Sequence, residues 1–352
     1  MSCVPVKRML RTRTSLRHPD LLHRHASLRI GLDAVPVDAL EHSRWAPVHR
    51  PPERTAVTRP GGGNSVLDWL SFRLSYEYRG HVDTPTPPYF HSPLAIVVAE
   101  IRHIEGAELS DDAIGKLKTS LAEVAPIARI EEAQRFVASF GVSGFADGTR
   151  QETVKLRKFS SRDRQLTVTF GPEAITVETT AYQSWTWFRA IVKRALEARQ
   201  ELSPLDGLLR VGLRMVDEIR VEDTLEGWKR WIDASLLGPS DVVERLGYVT
   251  QKQQGVLQTS TGNPGRALIF RYGPGEGRAV VDSPTLIRPI ADYTGEFFLL
   301  DFDSFEEPAD QSIPEVRPAD IMNTMDALHS ESKGLFEAVI TQALRDEVLN
   351  AN

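Results

Sequence analysis

The sequence has little cysteine, no long apolar run and, beyond residue 60, few histidines. Its one cysteine, Cys3, excludes an intramolecular disulfide, and no Cys/His cluster has the spacing of a zinc site. The longest apolar run, Leu94 to Ala99, has the length of a strand, far short of the roughly 18 residues of a membrane helix. We therefore expect a cytoplasmic protein with no membrane span, no secretory leader, no cofactor and no metal.

Basic charge is concentrated at the start of the chain. Residues 1–60 contain 11 lysines and arginines but five acidic residues, so the other 292 residues contain 31 basic and 43 acidic ones. A body with this excess of negative charge repels polyanions. Nucleic-acid binding is therefore expected only through the basic arm at residues 1–60.

We predict that residues 1–90 form a basic, mostly disordered N-terminal extension, because residues 1–60 hold five of the nine histidines and show no helical or strand period. Three explanations of this extension stay open: a non-native upstream translation, a plain disordered tail, or a functional arm for nucleic acid or targeting. Prolines at 85, 87 and 88 force extended backbone, and we expect the folded body to begin just after them.

The first half of the body, residues 91–203, begins with a buried strand, Leu94–Ile101, and a helix capped by Ser110. Four strand candidates follow, the last two joined by a turn at Gly171-Pro172-Glu173. These candidates are Arg135–Phe140, Thr153–Phe159, Gln165–Phe170 and Ala174–Thr179. Ser184 then caps an amphipathic helix that runs to about Glu201.

The second half, residues 204–352, repeats this order. A strand, Leu208–Val221, precedes a predicted helix, Thr224–Leu237, with apolar residues at helical spacing. The strand candidates that follow are Tyr248–Gln258, Arg266–Tyr272, Thr285–Tyr293 and Gly295–Phe302. A long amphipathic helix, Pro318–Leu349, closes the chain.

The repeated order indicates an internal duplication. Glu100-Ile101-Arg102 and Glu218-Ile219-Arg220 also end the two leading strands in the same way. We predict an α+β fold of two similar β-α-β-β-β-α halves, with mainly antiparallel sheets and helices packed on one face. A groove between two such halves suits the binding of a partner chain or a small ligand.

Several short sequence segments follow one another in a fixed order along the body. They are Ser92-Pro93-Leu94 with Glu100-Ile101-Arg102, Leu166 to Phe170 with Gly171-Pro172, Tyr182 to Phe188, Arg210 to Ile219, and Leu328-His329 with Phe336, Ile340-Thr341 and Leu344-Arg345. In this combination, over residues 92–347, the chain resembles a sporadically distributed family of uncharacterised bacterial proteins. The resemblance implies a bacterial protein whose extension the family pattern lacks, and it assigns no catalytic residue.

Two classes of function follow from these observations. The first is a non-enzymatic cytoplasmic binding or assembly protein, with a protein partner or a homo-oligomer and room for a small-molecule ligand. The sporadic distribution implied by the resemblance suggests an accessory component of a bacterial two-gene system, for defence or toxin neutralisation. The alternative is a metal-dependent enzyme with carboxylates at the sheet ends.

The candidate carboxylates of the metal-dependent enzyme are those of Asp301 and Asp303, with Asp217 as a third candidate. Residues two apart on a strand project from the same face, so Asp301 and Asp303 can together bind a metal or act as acid and base. The alternative explanation is a solvated strand end, and it is the one that we favour.

Trp187 and Trp231 are the candidates for a partner interface. Each belongs to an aromatic pair near the start of a predicted helix, and we expect it to turn outward while its neighbour enters the core. An exposed indole costs on the order of 2 kcal/mol unless a partner covers it.

Overall fold

The computed structural model of the chain describes residues 89–140, 146–222, 227–250, 253–280, 282–289, 295–309 and 312–351. All of them belong to one compact unit that spans residues 60–352. The predicted extension therefore lies outside the described residues, apart from its last two positions.

Nine strands in these ranges form one antiparallel sheet. They are β1 (Leu94–His103), β2 (Ile127–Phe140), β3 (Ala146–Ser160), β4 (Leu166–Phe170), β5 (Ala174–Thr179), β6 (Leu208–Ile219), β7 (Gly255–Ser260), β8 (Arg266–Glu276) and β9 (Glu296–Glu306). Their order across the sheet is β2-β3-β4-β5-β1-β6-β9-β8-β7. The two leading strands, β1 and β6, are thus central neighbours, and β2 and β7 form the two edges.

The helices are α1 (Asp111–Ser120), α2 (Trp185–Leu202), α3 (Ser240–Arg245), α4 (Pro318–Val339) and α5 (Gln342–Leu344). Helices α2 and α4 bury apolar side chains such as Phe188 and Met325 against one face of the sheet, where Ile101 and Leu213 lie. A second apolar cluster surrounds Phe302 of β9. The predicted α+β class is confirmed.

Local sequence signals place several elements correctly. The hydroxyl of Ser110 accepts a hydrogen bond from the amide of Ala113, and Ser184 does the same for Trp187, so both predicted helix starts are confirmed. The turn between β4 and β5 closes through a hydrogen bond from the Gly171 amide to the Ala174 carbonyl, at 2.8 Å.

The predicted helix Thr224–Leu237 is wrong. In the described part of this segment, two short 3₁₀ turns, Gly227–Arg230 and Ala234–Leu236, flank a three-residue stretch, 231–233. Ile232 in this stretch forms an antiparallel bridge with Ile340, and long-range backbone pairing of this kind overrides helical periodicity.

The same pairing interrupts the predicted closing helix Pro318–Leu349. Helix α4 ends at Val339, whose carbonyl accepts a hydrogen bond from the Asp233 amide, and Ile340 has extended backbone. The chain then resumes with the short helix α5 and a π-helical turn, Arg345–Leu349.

Two predicted strands of the second half also differ from the structure. The segment predicted as a strand at Thr285–Tyr293 has no strand in its described residues, 285–289. The segment predicted at Tyr248–Gln258 becomes a strand only from Gly255; residues 248–250 have no regular secondary structure, and the Tyr248 amide bonds back to the Val243 carbonyl of α3.

Candidate functional site

Charged side chains lie on the sheet face opposite α2 and α4, which we call the polar face. Side chains alternate along β6, so Leu213 enters the core while Arg210 and Arg214 lie on the polar face. Asp301 of β9 accepts two hydrogen bonds from Arg214, both of 2.8 Å. Arg271 of β8 approaches the same carboxylate at 3.4 Å. Asp301, Arg214 and Arg271 therefore form a buried ion cluster.

Asp303 joins the same cluster. Its carboxylate lies 3.5 Å from Arg210 and 3.9 Å from Arg271. The side chains of Asp301 and Asp303 are buried, with residue exposures of 2% and 3%, which differs from the solvated strand end that the sequence favours. Burial raises the pKa of Asp303, and the nearby guanidiniums only partly offset this effect. Both aspartates therefore have arginines as counter-ions in place of solvent.

Asp217 lies on the opposite face of the sheet. It alternates with Arg214 and Val216 along β6 and is buried at 5% exposure. Burial, and to a smaller extent the charge of Asp301, raise the pKa of Asp217 well above its ordinary value. Within the described ranges, no group of three or more His, Cys, Asp or Glu side chains is placed to hold a metal ion. The sheet therefore separates Asp217 from Asp301 and Asp303, although the metal hypothesis would bring the three aspartates together.

The two predicted interface tryptophans occupy different environments. Trp187 is half-buried and packs against the apolar cluster of α2 and α4. Trp231 is 5% exposed, and the Arg230 guanidinium lies 4.9 Å from the centre of its ring. The outward orientation predicted for Trp231 is wrong, because this residue lies in a turn beside the Ile232–Ile340 bridge, and its ring belongs to the second apolar cluster. The interface role of Trp187 stays a prediction.

A different set of apolar side chains is exposed at the β7 edge of the sheet. Six of them lie between α3 and the middle of β7, with exposures from 50% to 85%; we call this set the β7 edge patch. Its members are Val242, Leu246, Tyr248, Val249, Val256 and Leu257. The side chain of Ser240, at the start of α3, hydrogen-bonds to that of Gln253, just before β7. This bond holds α3 next to the edge strand.

The sequence contained one usable signal for this patch. The strand Gly255–Ser260 has no charged residue, whereas the stretch 127–132 of the opposite edge strand, β2, contains Arg129, Glu131 and Glu132. Sequence reasoning missed the signal because it assigned the segment to a meander without a strand order, and only the strand order makes it an edge. An inner strand without charge is ordinary, but an edge strand without charge is not.

No helix in the part of the chain that the structure describes has both the length and the apolar character needed to cross a bilayer. No family model matches the chain, and a search among curated proteins finds no match. Surface geometry and charge are therefore the basis for a functional assignment.

Proposed function

We propose that this protein is a non-enzymatic binding or assembly protein, and that the β7 edge patch is its assembly surface. The observation that carries the proposal is the group of six exposed apolar side chains on and beside a sheet edge that lacks charge. Exposed apolar side chains gathered along one sheet edge are typical of protein interfaces. An exposed strand edge also offers backbone groups for pairing with another strand.

The contrast between the two sheet edges supports this assignment. Proteins usually protect edge strands with charged side chains, as Arg129, Glu131 and Glu132 do on β2. On β7, Val256 and Leu257 are exposed in their place, 66% and 51% respectively. The sheet thus has one charged edge, β2, and one apolar edge, β7. This contrast indicates that another chain covers β7 in an assembly.

The occupant that fits best is a second copy of this chain. In a twofold antiparallel pairing of two β7 strands, each residue near the axis lies close to its own copy. A charge there would face a like charge and destabilise the pair. Because Gly255–Ser260 has no charged residue, self-pairing carries no such repulsion.

A sedimentation experiment on the full chain tests this proposal. We expect the wild type to dimerise, and Val256→Lys to raise the dimer dissociation constant by about tenfold or more, because two lysines would meet near the axis. Ile130→Lys is the matched control: it places the same residue at an exposed apolar position, 61% exposed, on the opposite edge strand.

Three results would overturn the proposal. A wild type that stays monomeric at every concentration would do so, as would an equal effect of the two lysine variants. A dimer that neither variant weakens would place the interface elsewhere. Circular dichroism of both variants shows whether they fold.

We also propose that the fold arose by internal duplication. The strand order supports this idea, because the last strand of each meander, β5 or β9, lies beside its own leading strand, β1 or β6. If Glu100 and Glu218 are equivalent positions, then so are Val97 and Met215, and these two residues pair directly with each other in the β1–β6 ladder. An experimental structure in which β6–β9 with α4 fails to superpose on β1–β5 with α2 would refute the duplication.

Among the described residues, the geometry does not favour the metal-dependent enzyme. The carboxylates of Asp301 and Asp303, on which the metal-dependent alternative depends, already have arginine counter-ions. The accessory role in a two-gene system stays a prediction from the resemblance alone.

A further inference from the structure

Residues 104–110 join β1 to α1, and we call them the latch. Two backbone hydrogen bonds hold its first residues. The Ile104 amide donates to the Gly207 carbonyl at 3.0 Å, and the Gly106 amide donates to the carbonyl of residue 172 at 2.9 Å. Four of the seven residues of the latch are exposed to solvent. A segment with so few buried side chains can open locally while the rest of the fold stays intact.

His103, the last residue of β1, holds the latch through its imidazole ring. The residue is fully buried, at 0% exposure. Its Nδ1 lies 2.8 Å from the carbonyl oxygen of Ile104, the first residue of the latch. Because a carbonyl oxygen can only accept a hydrogen bond, Nδ1 must carry a proton and donate it.

The other ring nitrogen of His103 has no place for a proton. Nε2 is buried, and no described residue forms a hydrogen bond with it. A proton on Nε2 would be a buried donor without an acceptor, on a ring that has also become a cation, and both changes cost free energy. His103 is therefore neutral while the latch is closed.

A buried arginine lies next to this ring. Arg199 of α2 is 3% exposed, and its guanidinium donates to the Ser203 carbonyl at the end of the same helix. No carboxylate among the described residues pairs with Arg199. Gly106 of the latch lies against both side chains, since a Cβ at this position would be 2.9 Å from Arg199 Nη2 and 4.0 Å from His103 Cε1. A protonated His103 would therefore be a second buried cation beside Arg199.

The charges that face His103 agree with a neutral ring. Burial lowers the pKa of His103 below its ordinary value of 6.5, and the charge of Arg199 adds to this effect. The hydrogen bond to Ile104 and the charge of Glu173, in the turn between β4 and β5, oppose the effect without cancelling it. On the β6 side, the residue that pairs with His103 is the uncharged Leu208.

We infer that the latch is a pH-operated conformational switch, which is closed while His103 is neutral and opens when His103 binds a proton. In the open state, the imidazolium and the Arg199 guanidinium both reach water, so the cost of burying two cations is removed. Because the open state binds a proton that the closed state excludes, a fall in pH below about 6.5 favours opening. The inference does not depend on the proposed assembly surface.

Amide hydrogen exchange of the full chain tests the switch. Between about pH 7.5 and about pH 5.5, we expect the protection factors of the Ile104 and Gly106 amides to fall about tenfold, because an open-state histidine gains its proton over this range. The Ile287 amide, which donates to the Arg164 carbonyl in another irregular segment, is the internal reference and should keep its protection.

A variant identifies the group that titrates. The side-chain amide of His103→Asn can donate to the Ile104 carbonyl but does not ionise, so we expect exchange protection at Ile104 that no longer changes with pH. His91→Asn is the matched control and should retain the tenfold fall, because His91 also bonds to a backbone carbonyl, that of Ala351, but is exposed. If His103→Asn does not fold, an NMR titration of the wild-type imidazole tests the same point, and His103 should titrate below about pH 6.5.

The inference is wrong if the Ile104 and Gly106 amides keep their protection at about pH 5.5. It is also wrong if Ile287 loses as much protection as they do, since the whole chain would then respond to acid. A pH dependence that persists in His103→Asn, or a wild-type His103 that titrates at or above about pH 6.5, would likewise overturn it.

Discussion

Asp301 lies against Arg214 and Arg271 on the polar face, where water hardly reaches its carboxylate. Ions buried in this way are stable only while they stay paired, since removal of one partner leaves the others without counter-charge. The cluster therefore ties β6, β8 and β9 together, and its members depend on one another.

Asp301→Ala should lower the free energy of unfolding by about 3 to 5 kcal/mol, because it leaves two arginines without their shared counter-ion. The control is Asp112→Ala, which removes an exposed ion pair with Lys116 in α1 and should cost no more than about 0.5 kcal/mol. Urea unfolding followed by circular dichroism measures both values. Equal effects of the two substitutions would contradict the buried-cluster account.

Asp217 gives a prediction about pH. Its pKa is raised in the folded state, so the folded protein holds this proton at pH values where the unfolded carboxyl, with an ordinary pKa near 3.9, has lost it. The stability that this group contributes is therefore complete below about pH 4 and is lost as the pH rises towards the folded-state pKa.

We expect Asp217→Asn, which cannot ionise, to gain stability relative to the wild type as the pH rises above about 4, with a slope of at most about 1.4 kcal/mol per pH unit. Asp303 titrates in both proteins, so its contribution cancels in the difference. Denaturant unfolding between about pH 4 and 8 measures this difference. A difference that stays constant over this range would show that Asp217 is ionised in the folded protein.

At the scale of elements, local signals predicted the first half well. Ser110 and Ser184 cap helices within a few residues, and the turn at Gly171 joins adjacent strands, so neighbouring sequence is sufficient to place them. The second half depends on contacts between distant residues. Ile232 and Ile340 pair across more than a hundred residues, and no local periodicity contains that information.

The candidate sites show the same limit. Spacing alone predicted correctly that Asp301 and Asp303 project from the same face of a strand, because alternation is a local property. Their arginine partners, Arg210 and Arg271, lie on other strands, so the sequence could not show that the pair is neutralised and buried. The exposure of Val256 likewise depends on β7 being an edge, which is a property of strand order.

Thr341 fixes the interruption between α4 and α5. Its hydroxyl donates to the Arg230 carbonyl at 2.6 Å and accepts from the Leu344 amide at 3.2 Å, so it joins two distant segments and caps α5. Thr341→Ala should lower the free energy of unfolding by about 1 kcal/mol or somewhat more.

Thr119→Ala is the control for Thr341→Ala, since the Thr119 hydroxyl bonds only within its own exposed helix end, to the Gly115 carbonyl. Thermal and urea unfolding of the two variants measure the comparison. If Thr341→Ala is no more destabilising than the control, the interruption does not depend on this side chain.

At the scale of the whole molecule, the sheet is asymmetric. Charged residues protect β2, whereas β7 and the adjoining α3 expose apolar side chains.

Amide hydrogen exchange of β7 as a function of protein concentration tests the central claim, that this edge pairs with a second copy of the chain. At low concentration, amides of Gly255–Ser260 that do not bond to β8 should exchange quickly, and protection should appear as the concentration rises. Amides in the described edge of β2, residues 127–134, should not respond to concentration. Exchange of β7 that is independent of concentration would contradict the account.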